Sequence, residues 1–268
     1  MGSSGRGYRL GVALADTHGK SYDPALIAGI GAYLKDSHVD HFLHLGDLFD
    51  FDGIGRFADN DPAAQVSWPL VEELALGRTI YYGLLDAARK KNKACKAVLI
   101  QGNHEYRLDK FVTRNPQLKG MLDIPQAMDL KARRVEYVPY EETGRAYRIG
   151  DAAFIHGRFC NKYHPHTHID RYRLKAIYYG HGHDAQRMTA ACYEPGEAVS
   201  AASIGFTCNP RLFYRHGLPD NWEQGFGVYF FLPGGRHIFN QVLVNRGRFV
   251  GPTNGKLYDC KRILRGLK

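Results

Sequence analysis

A chain of 268 residues, 44% apolar and 24% charged, can bury a sizeable core, which excludes a disordered or fibrous class. Its 36 basic against 27 acidic residues leave a formal charge of +9, which suits either solubility or attraction to polyanions such as nucleic acid. Five scattered cysteines without a C-x-x-C pair argue against a disulfide framework or zinc ribbon and for a reducing, cytoplasmic compartment. No apolar run approaches the roughly 20 residues that span a bilayer, so no membrane partner is expected.

Residues 1–7 lack the apolar stretch of a signal peptide and read as a flexible tail or an expression remnant. Residues 8–268 show no repeat, linker or break in composition and read as a single domain. The apolar run from Tyr8 to Ala15 predicts a buried strand that runs straight into Asp16-Thr17-His18-Gly19. Asp23-Pro24 supplies a cap and a first-turn proline, with Leu26, Ile27, Ile30, Tyr33 and Leu34 at helical spacing behind it. A second strand, His41 to Leu45, ends at Gly46-Asp47. Strand, helix and strand make a crossover unit, so both strands should be parallel with Asp16 and Asp47 at their carboxyl ends. In open α/β sheets that edge is where ligands bind.

A polar loop is expected over 50–66 and a long helix over 68–93. The third strand, Lys96 to Gln101, delivers Gly102-Asn103-His104-Glu105. Helix is expected from Tyr106 to about Leu130, broken at Asn115-Pro116 and Pro125. Short strands over 134–139, 145–149 and 152–155 follow, the last ending at His156-Gly157. A basic, aromatic, His-rich loop or helix over 158–175 precedes a strand, Ala176 to Tyr179, that ends at Gly180-His181-Gly182-His183. Strands over 198–206, 227–232 and 236–244 complete the pattern. The basic tail (Lys256, Lys261, Arg262, Arg265, Lys268) reads as a frayed terminus or as a contact for nucleic acid.

Strand ends thus present Asp16 with His18, Asp47, Asn103 with His104, His156, and His181 with His183. Singly, each has a plain explanation as a cap, a turn residue or a core histidine. Helix caps and core histidines, however, have no reason to recur at five strand ends. Imidazole, carboxylate and amide oxygen without thiolate suit divalent manganese, iron, zinc or nickel. Side chains alternate along a strand, so Asp-x-His and His-x-His should each place two donors on one side. With Asp47, Asn103 and His156 these make seven donors, too many for one tetrahedral ion and enough for two ions sharing Asp47.

The ordered set D-x-H, G-D, G-N-H-E, H, G-H-x-H resembles the calcineurin-like metallophosphoesterase superfamily over Asp16 to His183. The resemblance implies an α/β/β/α sandwich, with mixed sheets flanked by helices. It implies one ion on Asp16, His18, Asp47 and His183 and another on Asp47, Asn103, His156 and His181. It further implies hydrolysis of a phosphoester by a metal-bridging hydroxide. His104 becomes the catalytic group that stabilises phosphoryl oxygens or protonates the leaving group, and Glu105 a partner that orients a ligand.

Departures within the family narrow the substrate. Protein phosphatases carry G-D-x-x-D-R-G, whereas Gly46-Asp47-Leu48-Phe49-Asp50-Phe51 lacks the phosphate-gripping arginine. UDP-diacylglucosamine pyrophosphatases usually have arginine where His104 stands. The Gly46 to Asp50 run is similar to the DNA repair nuclease branch. The run from Gly102 to Arg107, with Asn161 to His164, resembles phage-encoded and bacterial metallophosphoesterases. A phosphodiesterase, acting on DNA or RNA, is therefore expected, with a phosphomonoesterase (phosphoprotein or small-molecule phosphatase) as the alternative. A non-catalytic scaffold, as in the retromer subunit that resembles this family, is the third reading. Arg107, Arg158, Lys162, Tyr163 and His164 are the candidate substrate rim, holding phosphates and stacking bases. His166 and His168, in the same segment, read as solvated loop residues.

Overall fold

The computed structural model describes residues 6–55, 69–140, 145–191, 198–210 and 221–267. Two β-sheets lie face to face with helices against their outer faces. The first sheet contains β1 (Arg9–Leu14), β2 (His41–His44), β3 (Lys96–Ile100), β4 (Val135–Val138), β10 (Gly225–Phe231) and β11 (His237–Leu243), in the order β11-β10-β1-β2-β3-β4. Strands β1 to β4 pair in parallel, while β10 is antiparallel to β1 and to β11. The second sheet contains β5 (Tyr147–Ile149), β6 (Ala152–Phe154), β7 (Ala176–Tyr179), β8 (Arg187–Ala191) and β9 (Ala198–Ser203), in the order β5-β6-β7-β9-β8. Its three middle strands are parallel and its two edges antiparallel.

The layers follow from the two-residue period of the strands. In β1 and β3, Val12, Leu14, Ala97 and Leu99 point into a core shared with helices α1 (Pro24–Asp36) and α2 (Leu70–Ala88). Their neighbours Ala13, Ala15, Val98 and Ile100 point the other way and meet Ala152, Phe154, Ala176 and Tyr178 of the second sheet. The alternate residues Ile155, Ile177 and Tyr179 pack outward against Ile169 of the basic, His-rich segment. The expected α/β/β/α order is therefore present, and three separate apolar layers hold it.

The helix over 106–130 breaks where expected, into α3 (Tyr106–Arg114), a short 3-10 turn at Pro116–Leu118 and α4 (Ile124–Ala127), with Pro116 and Pro125 each in the first turn of the element it opens. The His-rich segment forms α5 (His164–Tyr172). Strand β8 and the hairpin of β12 (Arg248–Val250) and β13 (Leu257–Asp259) carry too little apolar alternation to stand out in sequence.

The C-terminal tail is not frayed. Helix α6 (Cys260–Arg265) is capped by Asp259, whose carboxylate accepts from Arg262 N at 3.1 Å. Its buried Cys260 lies against Gly29 of α1, where a Cβ would come within 2.4 Å of the sulfur. Lys256 and Tyr258 both donate to Asp36 Oδ2, at 2.7 and 2.9 Å, so part of the basic tail is already engaged within the chain. Lys268 lies outside the described residues. Among those described, no helix is long and apolar enough to cross a membrane.

Candidate metal centre

Parallel strands β1, β2 and β3 end on one edge of the first sheet, and β6 and β7 end on one edge of the second. The sheets stack, so the two edges adjoin and all five strand-end segments converge. Convergence does not come from extended alternation, as the sequence pattern suggested. Asp16, His18, Asp47, His181 and His183 all sit in the left-handed region, with φ of 53°, 54°, 53°, 63° and 57°. Asp and His tolerate that region better than most residues, and such backbone strain concentrates at functional sites. Each chain segment turns sharply at the strand end and aims its donor back over the edge.

Two of the compact triads that result are made of the expected donors. Ligand atoms of Asp16, His18 and His183 lie within 4.8 Å of one another, as do those of Asp47, His156 and His181. In the first triad, His18 Nε2 and His183 Nε2 are 2.9 Å apart, and His183 Nε2 is 3.4 Å from Asp16 Oδ1. In the second, His156 Nε2 is 2.9 Å from Asn103 Oδ1 and 3.3 Å from Asp47 Oδ2. His156 Nδ1 donates to the carbonyl of Leu45 at 2.9 Å, which turns Nε2 towards Asn103 and Asp47. An imidazole nitrogen, an amide oxygen and a carboxylate oxygen then face one another, a set of ligand atoms that suits a divalent cation.

The electrostatics agree. Burial opposes ionisation of Asp16 and Asp47, yet nearby His183 in one case and His156 and His104 in the other hold both carboxyls below the usual range. Burial and the neighbouring His156 push His181 down to about 4, so its ring is neutral and can ligate. His18 differs. Burial works against its charge, but its bond to Asp50 overrides this and holds the imidazole up at about 9.

Sequence reasoning missed Asp50 and Glu73. Asp50 Oδ1 takes His18 Nδ1 at 2.8 Å and stands 3.4 Å from His104 Nδ1, linking a candidate ligand to the candidate acid. The G-D-x-x-D spacing carried that signal, and it was read only as a mark of kinship. Glu73, on α2, accepts from Asp50 N and Phe51 N at 2.6 and 2.8 Å. Glu105 does the same one turn earlier, accepting from Gly102 N, Asp47 N, Leu48 N and Phe49 N at 2.5–3.0 Å. It fixes the backbone of the loop that carries Asp47. Gly102 is needed beside it, since a Cβ there would lie 2.1 Å from Asp47 Oδ1. Burial and the charge of Asp47 push the Glu105 carboxyl up to about 7, against the pull of those amides.

Glutamine at Glu105 would turn an amide NH2 towards backbone donors. Glu105→Gln should therefore lower the unfolding temperature and weaken manganese binding by about 10–100-fold, as read by calorimetry. Unchanged affinity would mean that the Asp47 loop holds its shape without this carboxylate.

The candidate rim divides. Arg107 reaches the centre: its Nη2 is 3.1 Å from His104 Nε2, and its Nη1 donates to Asp50 O and Asp52 Oδ1 at 2.8 and 2.9 Å. Arg158, Lys162 and Tyr163 stand on the exposed loop after His156, with the Lys162 ammonium 5.3 Å from the Tyr163 ring. His164 does not join them. It is 2% exposed, and its ring nitrogens meet Tyr179 Oη at 2.7 Å and Asp184 Oδ2 at 2.8 Å, which makes it a buried strut. His168 is also buried, contrary to the loop reading, and its ring stacks on Tyr179 at 3.9 Å. His166 is exposed and pairs with Asp170 at 2.9 Å.

Comparison with known proteins places this geometry in context. No curated protein matches the chain. Among solved structures, Vacuolar Protein Sorting 29 from Cryptosporidium parvum is 11% identical, covering 94% of this chain and 95% of its own, with a TM-score of 0.43. A predicted phosphoesterase from Streptococcus pneumoniae is 12% identical over 87% of this chain and 98% of its own, with a TM-score of 0.34. Nuclease MPE from Pseudomonas putida is 19% identical over 86% of this chain and 87% of its own, with a TM-score of 0.32. The family model described as calcineurin-like phosphoesterase matches residues 12–185, a span that contains both triads. The chain belongs to the calcineurin-like phosphoesterase family.

Proposed function

We propose that this chain is a dinuclear metal-dependent phosphodiesterase, with nucleic acid within its substrate class. Asp16, His18, Asp47 and His183 would hold one ion, and Asp47, Asn103, His156 and His181 the other. The observation that carries the reading is the meeting of His156 Nε2 with Asn103 Oδ1 at 2.9 Å and with Asp47 Oδ2 at 3.3 Å, three ligand-type atoms brought together from three strand ends. Seven donors that are imidazole, carboxylate and amide suit manganese, and iron, zinc or nickel would also fit. When bound, such a pair of ions supplies Lewis acidity and lowers the pKa of a coordinated water towards neutrality.

The chain's own groups do the rest. Only Asp16 and Asp47 among the donors carry formal negative charge, so the site remains attractive to a phosphate oxyanion. His104 stands at the rim of this site, with its side chain 19% exposed and its Nε2 3.9 Å from Asp47 Oδ2. From there it can hold a phosphoryl oxygen or deliver a proton to the departing oxygen. Asp50 Oδ1 stands 3.4 Å from its other nitrogen, and Arg107 Nη2 brings a fixed cationic donor to the same place.

Preference for diesters rests on Phe51. Where protein phosphatases have a phosphate-gripping arginine, Phe51 is buried and stacked on Phe49 at 4.9 Å. Fewer fixed cations favour a monoanionic diester over a dianionic monoester. With manganese added, a bis-aryl phosphate should be hydrolysed at least about tenfold faster than a mono-aryl phosphate, a gap of roughly 1.4 kcal/mol in barrier. The reverse order would make the protein a phosphomonoesterase. Inactivity on both, with metal bound, would make it a binding scaffold.

A further inference from the structure

Helix α3 leaves the metal centre immediately behind His104 and Glu105, and one of its faces is basic. Arg107, Lys110 and Arg114 stand at i, i+3 and i+7, the spacing that aligns side chains along one side of a helix. Together with Asn103, Tyr106 and Gly55 they line a cleft of about 640 Å³. Its inner end is the metal centre, because Asn103 Oδ1 is the atom 2.9 Å from His156 Nε2. Arg107 marks the join. Its Nη1 is clamped by Asp50 O and Asp52 Oδ1 while Nη2 reaches His104, so the guanidinium is fixed between the reacting site and the cleft.

The remaining lining says what kind of ligand fits. Lys110 and Arg114 are exposed, and Asp109 is the only carboxylate lining the cleft among the described residues. The Asp109 carboxylate, itself exposed, accepts from Gln101 Nε2 at 2.7 Å, which ties one of its oxygens to the protein. Tyr106 offers little to a base: the Lys110 ammonium covers its ring at 4.6 Å, and Tyr140 flanks it at 5.5 Å. The cleft therefore presents cations without an open stacking platform. That combination favours a backbone of phosphates over bases.

We infer that this cleft is a subsite for the sugar–phosphate backbone of a single nucleic-acid strand. Arg107 holds the phosphate nearest the reacting one, and Lys110 and Arg114 hold those beyond it. The inference rests on the diesterase reading and extends it by naming the substrate class and its path. From Arg107 to Arg114 the helix rises roughly 10.5 Å, enough to reach more than one phosphate along a strand. Recognition by backbone alone is indifferent to sequence and weakens as salt rises.

The test uses the full manganese-loaded chain, with two readouts. The first is kcat/KM on a dinucleotide, a tetranucleotide and an octanucleotide, each divided by kcat/KM on a bis-aryl phosphate. This ratio should climb from the dinucleotide to the tetranucleotide and then level off. In Lys110→Ala/Arg114→Ala it should fall about tenfold on the octanucleotide, chiefly through KM, and the salt slope of binding should lessen by about 1.4. Lys35→Ala/Lys90→Ala, with the same change in net charge, should leave the ratio near its starting value.

A ratio independent of length, or one lowered equally by the control variant, would overturn the subsite. The second readout is fluorescence anisotropy of octanucleotide binding, which needs no turnover. If the bis-aryl phosphate is not cut, the diesterase reading fails. Anisotropy still decides the subsite: about tenfold weaker binding in the α3 variant upholds it, and unchanged binding overturns it.

Discussion

His104→Ala is expected to keep both ions and lose most turnover, by roughly 10²–10⁴-fold in kcat on a bis-aryl phosphate. The physical grounds lie in what His104 touches. Its backbone N–H donates to Asp47 Oδ1 at 2.9 Å, a bond that alanine retains. Its side chain meets Asp50 Oδ1 at 3.4 Å and Arg107 Nη2 at 3.1 Å, neither of which belongs to the acceptor cluster at His156. The fold should survive, since the ring is partly exposed and β3 and Glu105 hold the segment. A rival arrangement exists, because ligand atoms of His18, Asp50 and His104 also lie within 4.8 Å of one another. Metal analysis of the purified variant separates the two. Loss of an ion together with turnover would make His104 a ligand.

Asp47→Ala should have the larger effect. Its carboxylate faces His156 through Oδ2 and holds the His104 amide through Oδ1, and its charge acts on Asp16 and His18 of the first triad. Removing it should empty at least one ion site and abolish the polarisation that two ions provide together. That contribution is several kcal/mol, so turnover should fall by at least about 10³-fold. The loop itself should persist, because Glu105 and Glu73 bind its backbone amides and not its side chains. Manganese should therefore raise the unfolding temperature of the parent chain and raise that of Asp47→Ala much less, by the ordinary linkage between binding and stability. An equal rise in both would mean that Asp47 does not hold metal.

The layer order and the strand ends that converge were legible because they depend on local signals. Apolar runs that stop at Asp16, Gly46-Asp47, Gly102-Asn103, His156 and Gly180-His181 mark strand ends, and Asp23 before Pro24 marks a helix start. The Asp23 carboxylate does accept from Ala25 N and Leu26 N, at 2.9 and 3.0 Å. What escaped depends on tertiary position. Glu73 is one of two acids in the first turn of α2, where a charge normally faces water, yet it is 3% exposed because two backbone N–H groups reach it. Asp50 acquires its partners only through the path of its loop, with Phe51 at a φ of 51°. His164 has the composition of a rim residue, and only the docking of α5 on the second sheet shows it to be internal. The tail looked frayed because its anchors, Tyr258 in the core and on Asp36 and Cys260 against a glycine of a distant helix, are tertiary contacts that local patterning does not show.

The most direct test of the central claim is a metal count on the chelated and manganese-titrated chain, with diester turnover read on the same samples. Two ions per chain should bind, turnover should be absent in the stripped protein and should return as the second site fills, and Asp47→Ala should bind at most one ion and stay inactive. Full turnover in the stripped chain, or two ions held equally by the parent and by Asp47→Ala, would contradict the account.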